Sequence, residues 1–301
     1  MFARRHPFLF FLSVVCGCIT LGFLGLITLL IIGAGIMGAG FSGSLEGNKG
    51  NIGVVEVMGP IMSSKEIIED IKLFREDDRI GAIILRIDSP GGGIGPSQEV
   101  YRELMKTRDV KPVVASMGSV AASGGYYIAA AAEGIVANPG TITGSIGVIM
   151  EYANLMKIAE KIGISPVVIK SGEFKDMGSP LRELKDNEKE LFQSLVDELH
   201  AQFVSDAAKA RNMEEDVMAK LADGRIYTGQ KALKLKLVDR LGNLGDAVKW
   251  AAELGSIDGE PMPVYPPQDR MSILMHMADA FKDINLSATL SENLRYISTP
   301  R

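Results

Sequence analysis

The apolar and polar positions beyond residue 51 alternate between two kinds of segment. Short apolar runs have the length of strands, and the segments between them carry apolar residues at helical spacing. This alternation predicts an α/β layer structure with much parallel sheet. The predicted strands are 52–58, 82–87, 112–116, 135–138, 146–150 and 167–169. The predicted helices are 65–74, 97–105, 155–162, 186–210 and 246–254.

A much longer apolar stretch, residues 8–38, precedes this region. It holds no charged side chain and exceeds the ~20 apolar residues that cross a bilayer. Arg4 and Arg5 lie before it and no basic residue follows closely, which predicts that residues 1–7 are cytoplasmic. A cleaved secretory signal is the alternative, but its apolar core is normally ~7–15 residues long. We interpret residues 8–38 as a single transmembrane signal anchor in the cytoplasmic membrane, with the rest of the chain on the extracytoplasmic side.

Composition divides the rest of the chain into three parts and restricts its partners. Residues 39–51 are rich in Gly, Ser and Asn and are predicted to be a linker. Residues 52–255 hold the α/β pattern, and residues 256–301 form a C-terminal extension that prolines interrupt. The net charge of −5 argues against a nucleic-acid-binding surface. The two cysteines, Cys16 and Cys18, lie in the apolar stretch, so we expect neither a disulfide framework nor a zinc site.

Ser123 is the first candidate for chemistry. It follows the apolar run at 112–116 across a turn of small residues, and a run that is typical of a helix begins after it. Strand, tight turn and helix are the context of a nucleophile elbow, in which the serine hydroxyl is accessible to substrate. The backbone amide of Gly124 would then be placed to stabilise an oxyanion.

Such a serine needs a base, and histidine is the usual one. The chain has three histidines: His6 before the apolar stretch, His276 in the extension and His200 within the predicted helix 186–210. Asp197 lies three residues before His200, so the two could meet on one helix face. Such pairs are common on solvated helices, and we favour a surface role. The sequence therefore disfavours a Ser-His-Asp triad without excluding His200.

Lysine is the other candidate base, provided that its environment keeps it neutral, because its ordinary pKa is ~10.4. Lys175 lies in a loop that glycines and a proline mark, after the apolar run at 167–169. On spacing alone a solvated loop lysine is the simpler interpretation. Lys170 and Lys185 are weaker candidates, at the end of the apolar run and at the start of a charged helix.

Two further segments could take part in binding. Gly91, Gly92 and Gly93 follow the predicted strand 82–87 and could present backbone N–H groups to a ligand at close range. The segment lacks the Gly-Lys-Ser/Thr ending of a nucleotide site, so an oxyanion donor or a clamp on a substrate backbone fits better. A tight turn without a function is equally compatible. Ser145 lies among small residues and could contact a lysine or the substrate, or could simply pack in a turn.

Taken together, these segments resemble the signal peptide peptidase A family of membrane-bound serine peptidases. Several separate blocks occur in the family's order between residues 52 and 250, which makes the resemblance specific. The matching blocks are 88–93, 117–128, 143–148, 171–176, 224–232 and 237–239.

The resemblance implies an activity, a site and a fold. By it, Ser123 is the nucleophile and Lys175 the general base, with Gly124 and Gly92 as oxyanion donors. It also implies the ClpP/crotonase-like fold of stacked βαβ units, a homo-oligomer in which the lysine approaches the serine from a neighbouring subunit, and no cofactor or metal. The expected substrates are signal-peptide remnants and other apolar peptides, cleaved through an acyl-enzyme. The remaining candidates for substrate binding are Gly91, Gly93 and Ser145.

Two other functions remain open at this point. A crotonase-like acyl-CoA enzyme would use the glycine amides on a thioester carbonyl and would need no serine nucleophile. A catalytically silent membrane scaffold would bind peptides in the same groove. The apolar anchor argues against the first, and the combination of Ser123 and Lys175 argues against the second.

Overall fold

Parallel strands form the centre of the fold, as the alternating pattern predicted. A computed structural model describes residues 51–267 of the protein. Within this range the strands form one eight-stranded sheet. The strands are β1 Ile52–Met58, β2 Ala82–Ser89, β3 Val113–Ala122, β4 Gly134–Ala137, β5 Ile142–Gly144, β6 Ile226–Thr228, β7 Arg240–Leu241 and β8 Pro263–Val264. The helices are α1 Lys65–Glu76, α2 Ile94–Arg108, α3 Gly124–Ala130, α4 Met156–Lys161, α5 Asp186–Ala210, α6 Glu215–Leu221, α7 Gly229–Lys234 and α8 Leu244–Leu254.

The sheet divides at β3, which is the longest strand. The main path runs β6-β5-β3-β2-β1-β8, while β4 pairs with the first half of β3 and with β7. The second half of β3 pairs with β5 instead. All pairings are parallel except that of β5 with β6. Ser123 therefore follows β3 at the carboxyl end of the central parallel strands, where α/β proteins hold their ligands.

The central strands are apolar because helices cover the sheet. Ile84 of β2 and Val114 of β3 are completely buried and pack in one cluster with Ala247 and Ala251 of α8. This apolar layer lies between α8 and the first halves of β2 and β3.

The structure confirms the α/β architecture and most of the predicted elements. The predicted strand at 52–58 has the observed bounds of β1, and the predicted helix at 186–210 has those of α5. The predicted strand at 112–116 is part of β3, which continues to Ala122 and so leads directly to Ser123. The sheet also extends past residue 255, because β8 pairs with β1.

Two predicted strands are wrong. Residues 146–150 and 167–169 form no strand. Gly144 and Ser145 both have positive φ, at 80° and 50°, and they end β5 and turn the chain away from the sheet. Ile169 is 95% exposed, so the apolar run around it does not enter the core. An apolar run indicates burial only if something covers it, and here nothing within the described chain does.

The predicted anchor at 8–38 lies outside the described residues, as do nearly all of the linker 39–51 and residues 268–301 of the extension. Cys16, Cys18, His6 and His276 fall in these parts as well. Among residues 51–267, no helix has the length and apolar character that crossing a membrane requires.

Candidate active site

Ser123 occupies a strained turn between β3 and α3. Its φ of 53° and ψ of −121° lie outside the regions that non-glycine residues usually adopt. The turn is held on both sides, because the Ser123 N–H donates to the Gly144 carbonyl (2.8 Å) and the Tyr127 N–H donates to the Ser123 carbonyl (2.9 Å). Ser123 is half-buried, whereas Ala122 and Gly124 beside it are buried. The elbow therefore presents the serine side chain to a cavity, as the sequence predicted.

The glycine segment after β2 is fixed by Ile61. The Ile61 N–H donates to the Gly91 carbonyl and the Gly93 N–H donates to the Ile61 carbonyl, both at 2.9 Å. Because the bonds to Ile61 involve Gly91 and Gly93, the N–H of the residue between them, Gly92, is turned away from Ile61. A Cβ on Gly92 would lie only 2.3 Å from the Ile61 oxygen, so no other residue fits there.

The glycine segment lies directly against the elbow. A Cβ on Gly91, where φ is +102°, would lie 2.6 Å from the Gly124 nitrogen, and a Cβ on Gly124 would lie 3.2 Å from the Gly92 nitrogen. Neither the Gly92 nor the Gly124 N–H donates to any acceptor in the described chain. Two unused backbone donors thus lie side by side next to the serine. This arrangement can stabilise an oxyanion on a carbonyl that Ser123 attacks.

Asp88 supports this geometry, a role that the sequence alone does not indicate. Its carboxylate accepts hydrogen bonds from the backbone N–H groups of Ser119 and Val120, each at 3.2 Å, where the register of β3 against β2 shifts. A Cβ on Gly118 would lie 2.6 Å from Asp88 Oδ2, so the close approach requires glycine. Gly118, within an otherwise strand-like run, was the signal that could have predicted the irregularity.

Two connected spaces adjoin Ser123. The larger is a cavity of about 490 Å³ that Ser123, Gly92 and Ser145 help to line. The smaller is a pocket of about 20 Å³, room for about one water-sized group, which Ser123, Gly92 and Gly124 also line. The other walls of the small pocket are mostly apolar side chains, from Ile94, Tyr127, Val148, Leu199 and Phe203. A small apolar group next to a carbonyl at Ser123 would fit this pocket.

Aromatic contacts make the floor of the small pocket rigid. The Tyr127 ring stacks on Phe203 at a centroid distance of 4.3 Å and meets Tyr101 edge-on at 5.3 Å. The Tyr127 hydroxyl donates to the Asp206 carboxylate, and burial, followed by this bond, raises the pKa of Tyr127. Tyr127 therefore stays a neutral donor at neutral pH and holds α3 against α5.

Ser145 also lies in the large cavity. Its φ of 50° is unusual for serine, and its N–H donates to the Arg225 carbonyl at 2.8 Å. The side chain is half-buried and accepts or donates no hydrogen bond within residues 51–267. The structure thus brings Ser145 to the same cavity as Ser123, where a substrate or a lysine could reach it.

Lys175 does not line this cavity or the small pocket in the described chain. It is exposed, and its side chain makes no hydrogen bond or ion pair to the described residues. The neighbouring Asp176 is engaged instead, by Lys170 at 2.6 Å and by Arg182 at 2.9 Å. Both partners lower the pKa of Asp176, Arg182 most strongly. Asp176 is thus occupied within its own loop, and the amino group of Lys175 is free for another partner.

Lys175 belongs to a segment that stands apart from the core, residues 149–185, which we call the arm. Internal hydrogen bonds give the arm its shape: the Tyr152 hydroxyl donates to the Arg182 carbonyl (2.7 Å), and the Leu155 N–H donates to the Pro180 carbonyl (2.7 Å). Its large apolar side chains are nevertheless exposed. These are Ile149, Met150, Leu155, Ile158, Ile162, Ile164, Val167, Val168, Ile169 and Phe174. Exposed large apolar side chains concentrated in one segment are typical of an interface.

The expectation that His200 is a solvated surface residue is wrong. His200 is half-buried and lines the large cavity together with Ser123. Its Nε2 is buried and has no hydrogen-bond partner in the described chain. Asp197 accepts a hydrogen bond from Gln193 (2.7 Å) and does not pair with His200. Within residues 51–267 there is also no group of three or more His, Cys, Asp or Glu side chains that could hold a metal ion.

Comparison with known sequences also indicates a peptidase. Residues 105–258, about half of the chain, match the profile of Peptidase family S49, and residues 54–142 match the Clp protease profile. The chain is 42% identical over 242 residues to a protein of Synechocystis sp. that is provisionally named a protease, which covers 80% of this chain and 86% of that protein.

Two further relatives are longer than this chain. The chloroplastic serine protease SPPA of Arabidopsis thaliana is 40% identical over 206 residues, which are 68% of this chain and 30% of that protein. A protein of Enterococcus faecium, provisionally named signal peptide peptidase SppA, is 38% identical over 185 residues. The match covers 61% of this chain and 54% of that protein.

A parallel α/β sheet of ClpP type, ending in a serine elbow that faces a glycine segment, defines a serine hydrolase class. Within that class the chain belongs to Peptidase family S49, the signal peptide peptidase A family, and it is a serine peptidase. Membership favours the peptidase over the acyl-CoA enzyme and the silent scaffold.

Proposed function

We propose that the chain is a membrane-anchored serine endopeptidase with a Ser-Lys dyad that cleaves signal-peptide remnants and other apolar peptides. The observation that carries the proposal is the contact of the Ser123 elbow with the glycine segment, where the Gly92 and Gly124 amides have no other acceptor. Amides fixed before the reaction stabilise a developing oxyanion without having to reorganise.

In the proposed mechanism Lys175, as a neutral amine, removes the proton from the Ser123 hydroxyl as its oxygen attacks the peptide carbonyl. The negative charge that forms on the carbonyl oxygen is stabilised by the amides of Gly92 and Gly124. The C–N bond then breaks, and the lysine ammonium gives its proton to the leaving amine. Water hydrolyses the resulting ester with Lys175 again as base, which restores Ser123.

We further propose that the two members of the dyad come from neighbouring subunits of a homo-oligomer. The exposed position of Lys175 and the bare apolar side chains of the arm support this arrangement, since a neighbouring subunit would cover both. Ser145, in the cavity of Ser123, would hydrogen-bond the incoming lysine or the substrate. Gly91 and Gly93, which flank the oxyanion donor, would hold the substrate backbone.

The small pocket supports a preference for small apolar side chains next to the cleaved bond. Its volume of about 20 Å³ admits little more than a methyl group, and Leu199 and Phe203 close it. The apolar stretch at residues 8–38 supports an anchor in the cytoplasmic membrane with the catalytic domain on the extracytoplasmic side. An enzyme in that place would meet apolar peptides that remain after signal-peptide removal.

Active-site labelling of the full-length chain tests the proposal. A fluorophosphonate should phosphonylate the Ser123 hydroxyl with loss of fluoride. Ser123→Ala should abolish this labelling, and it should also abolish turnover of an apolar peptide that has alanine next to the cleaved bond. Lys175→Arg, which keeps the charge but cannot act as a base, should lower both by at least about 10³-fold.

Lys161→Arg is the matched control, because Lys161 is another exposed lysine of the arm without an ion pair in the described chain. It should leave both activities unchanged. Full peptidase activity in Lys175→Arg would show that the base is misassigned, and labelling that survives Ser123→Ala would refute the nucleophile.

A further inference from the structure

One face of α5 forms a wall of the substrate cavity. Five of its residues line the two spaces beside Ser123. Leu199 and Phe203 face the small apolar pocket, while Val196, Asp197 and His200 line the large cavity. The helix thus places an apolar pair next to the reaction centre and polar groups next to the space beyond it.

The imidazole of His200 has a hydrogen-bonding atom that the described chain leaves unused. Nε2 is buried and lacks a partner among residues 51–267. A buried polar atom without a partner costs free energy, which a ligand that supplies the hydrogen bond recovers. The mechanism proposed above does not use His200.

The other polar groups of the cavity suggest which ligand group His200 binds. Asp197 and Asp223, which also line the cavity, are acceptors, and Asp223 is already paired with Arg225. The Gly92 amide is directed to the oxyanion. An extended peptide brings main-chain carbonyl oxygens into the cavity, and these need donors. An imidazole N–H at Nε2 supplies one.

We propose that His200 is a substrate-binding residue, whose Nε2–H donates to a main-chain carbonyl of an extended peptide lying in the large cavity. The inference rests on the proposed function, because it takes the cavity beside Ser123 to be the peptide-binding cleft. It assigns to this chain a contact outside the small pocket, so that peptides are bound by their backbone as well as by the side chain at the cleaved bond.

The test compares a long and a short substrate on the full-length chain in detergent. His200→Leu should raise KM for a long apolar peptide about tenfold, the loss expected for one hydrogen bond, with kcat changed less than about twofold. Turnover of an acetyl-alanine ester, which is too short to fill the large cavity, should be unchanged, as should the rate of fluorophosphonate labelling of Ser123. His200→Gln, which keeps a donor, should recover most of the affinity for the long peptide.

Glu198→Leu is the control, since Glu198 lies on the same helix but is exposed and lines neither space. Slower labelling in His200→Leu would show that the imidazole acts on Ser123, and equal losses for both substrates would show a structural role. An unchanged KM for the long peptide would show that no such contact exists. Each of these results overturns the inference, whereas absence of Ser123 labelling in the wild-type chain would refute the proposed function itself.

Discussion

The Ser123 elbow and the arm that carries Lys175 are built in opposite ways. The elbow follows a buried strand, and it is held by hydrogen bonds to Gly144 and by the glycine segment packed against it. The arm is held together by its own ion pairs and exposes its apolar side chains, with Val167 at 87% and Ile169 at 95% exposure. One half of the proposed dyad is therefore positioned by the core of the chain, and the other half needs a surface that the single chain does not supply.

If the dyad is divided between the elbow and the arm in this way, its formation depends on subunit assembly. An elbow buried in the sheet keeps its geometry whether or not subunits associate. A lysine on an exposed apolar arm reaches a serine only where the arm has docked. We therefore expect the elbow and its amides to be formed in every chain, and the complete dyad to form only in the oligomer.

Subunit mixing gives the largest expected effect. Ser123→Ala and Lys175→Ala should each be inactive alone. If the dyad is shared between neighbours, co-assembly of the two variants should restore about a quarter of the wild-type activity, because each intact site needs its serine from one variant and its lysine from the other. The measurement is peptidase activity after the two chains are co-expressed and purified through different tags.

Mixing Ser123→Ala with a Ser123→Ala, Lys175→Ala double variant is the control, since that pair holds no intact serine and should stay inactive. Inactivity of the first mixture, with both chains present in one assembly, would mean that each chain supplies its own complete dyad.

The next largest effect concerns the Gly92 amide beside the Ser123 elbow. Gly92→Ala would place a Cβ 2.3 Å from the Ile61 oxygen and displace the amide that faces the cavity. We expect kcat to fall by roughly 10²–10³-fold, the usual loss for one oxyanion donor. Gly95→Ala is the control, because a Cβ on Gly95 meets no atom within 4 Å. Steady-state kinetics measures kcat, and a thermal melt of each variant shows whether it is folded. A normal kcat in a stably folded Gly92→Ala would exclude Gly92 as an oxyanion donor.

The sequence predicted the elbow half better than the arm. The apolar runs at β1 and β3 are buried on both faces, and in such strands apolar pattern and burial agree. The same apolar pattern at 146–150, which leads into the arm, and at 167–169 within the arm predicted strands that do not form. Residues that cover an interface and residues that enter a core have the same composition, and only the fold shows which surface is available.

Single polar groups were the hardest to assign from sequence. Asp88 lies just beyond the predicted strand 82–87 and the sequence assigns it no role, but it fixes the irregularity in β3 by accepting two backbone hydrogen bonds. His200 looked like part of a solvated helix, yet its face turns to the cavity. Both roles depend on contacts between segments far apart in the chain, which local spacing does not encode.

A charge on the apolar surface of the arm should have a moderate effect that depends on protein concentration. Ile169→Glu removes no buried contact in the single chain, so the free energy of unfolding should change by less than about 0.5 kcal/mol. Subunit association should weaken roughly tenfold, because a charge would be buried at the interface. Sedimentation velocity and activity as a function of dilution measure this. Val110 is an apolar residue outside the arm that is 65% exposed, and Val110→Glu should change neither the free energy of unfolding nor subunit association. Equal losses of association in both variants would contradict a specific role of the arm.

The smallest effect concerns the ion pairs at the base of the arm. Arg182 bonds Asp176 (2.9 Å) and Glu188 (2.6 Å), and it is the main cause of the lowered pKa of both carboxyls, with that of Glu188 falling from 4.5 to about 2. Because the folded pKa values lie below the ordinary ones, these pairs stabilise the arm fully at pH values above about 4.5 and lose their effect as the pH falls towards 2. Hydrogen exchange of arm peptides, corrected for intrinsic rates and compared with peptides from β2, should therefore be constant from neutral pH to about 5 and increase below about 4.

Arg182→Met should show the increased exchange already at neutral pH, while Arg240→Met, at a pair outside the arm, should not. A change in arm protection between pH 6 and 7 in the wild-type chain would point to a different titrating group, because both carboxyls are fully ionised there.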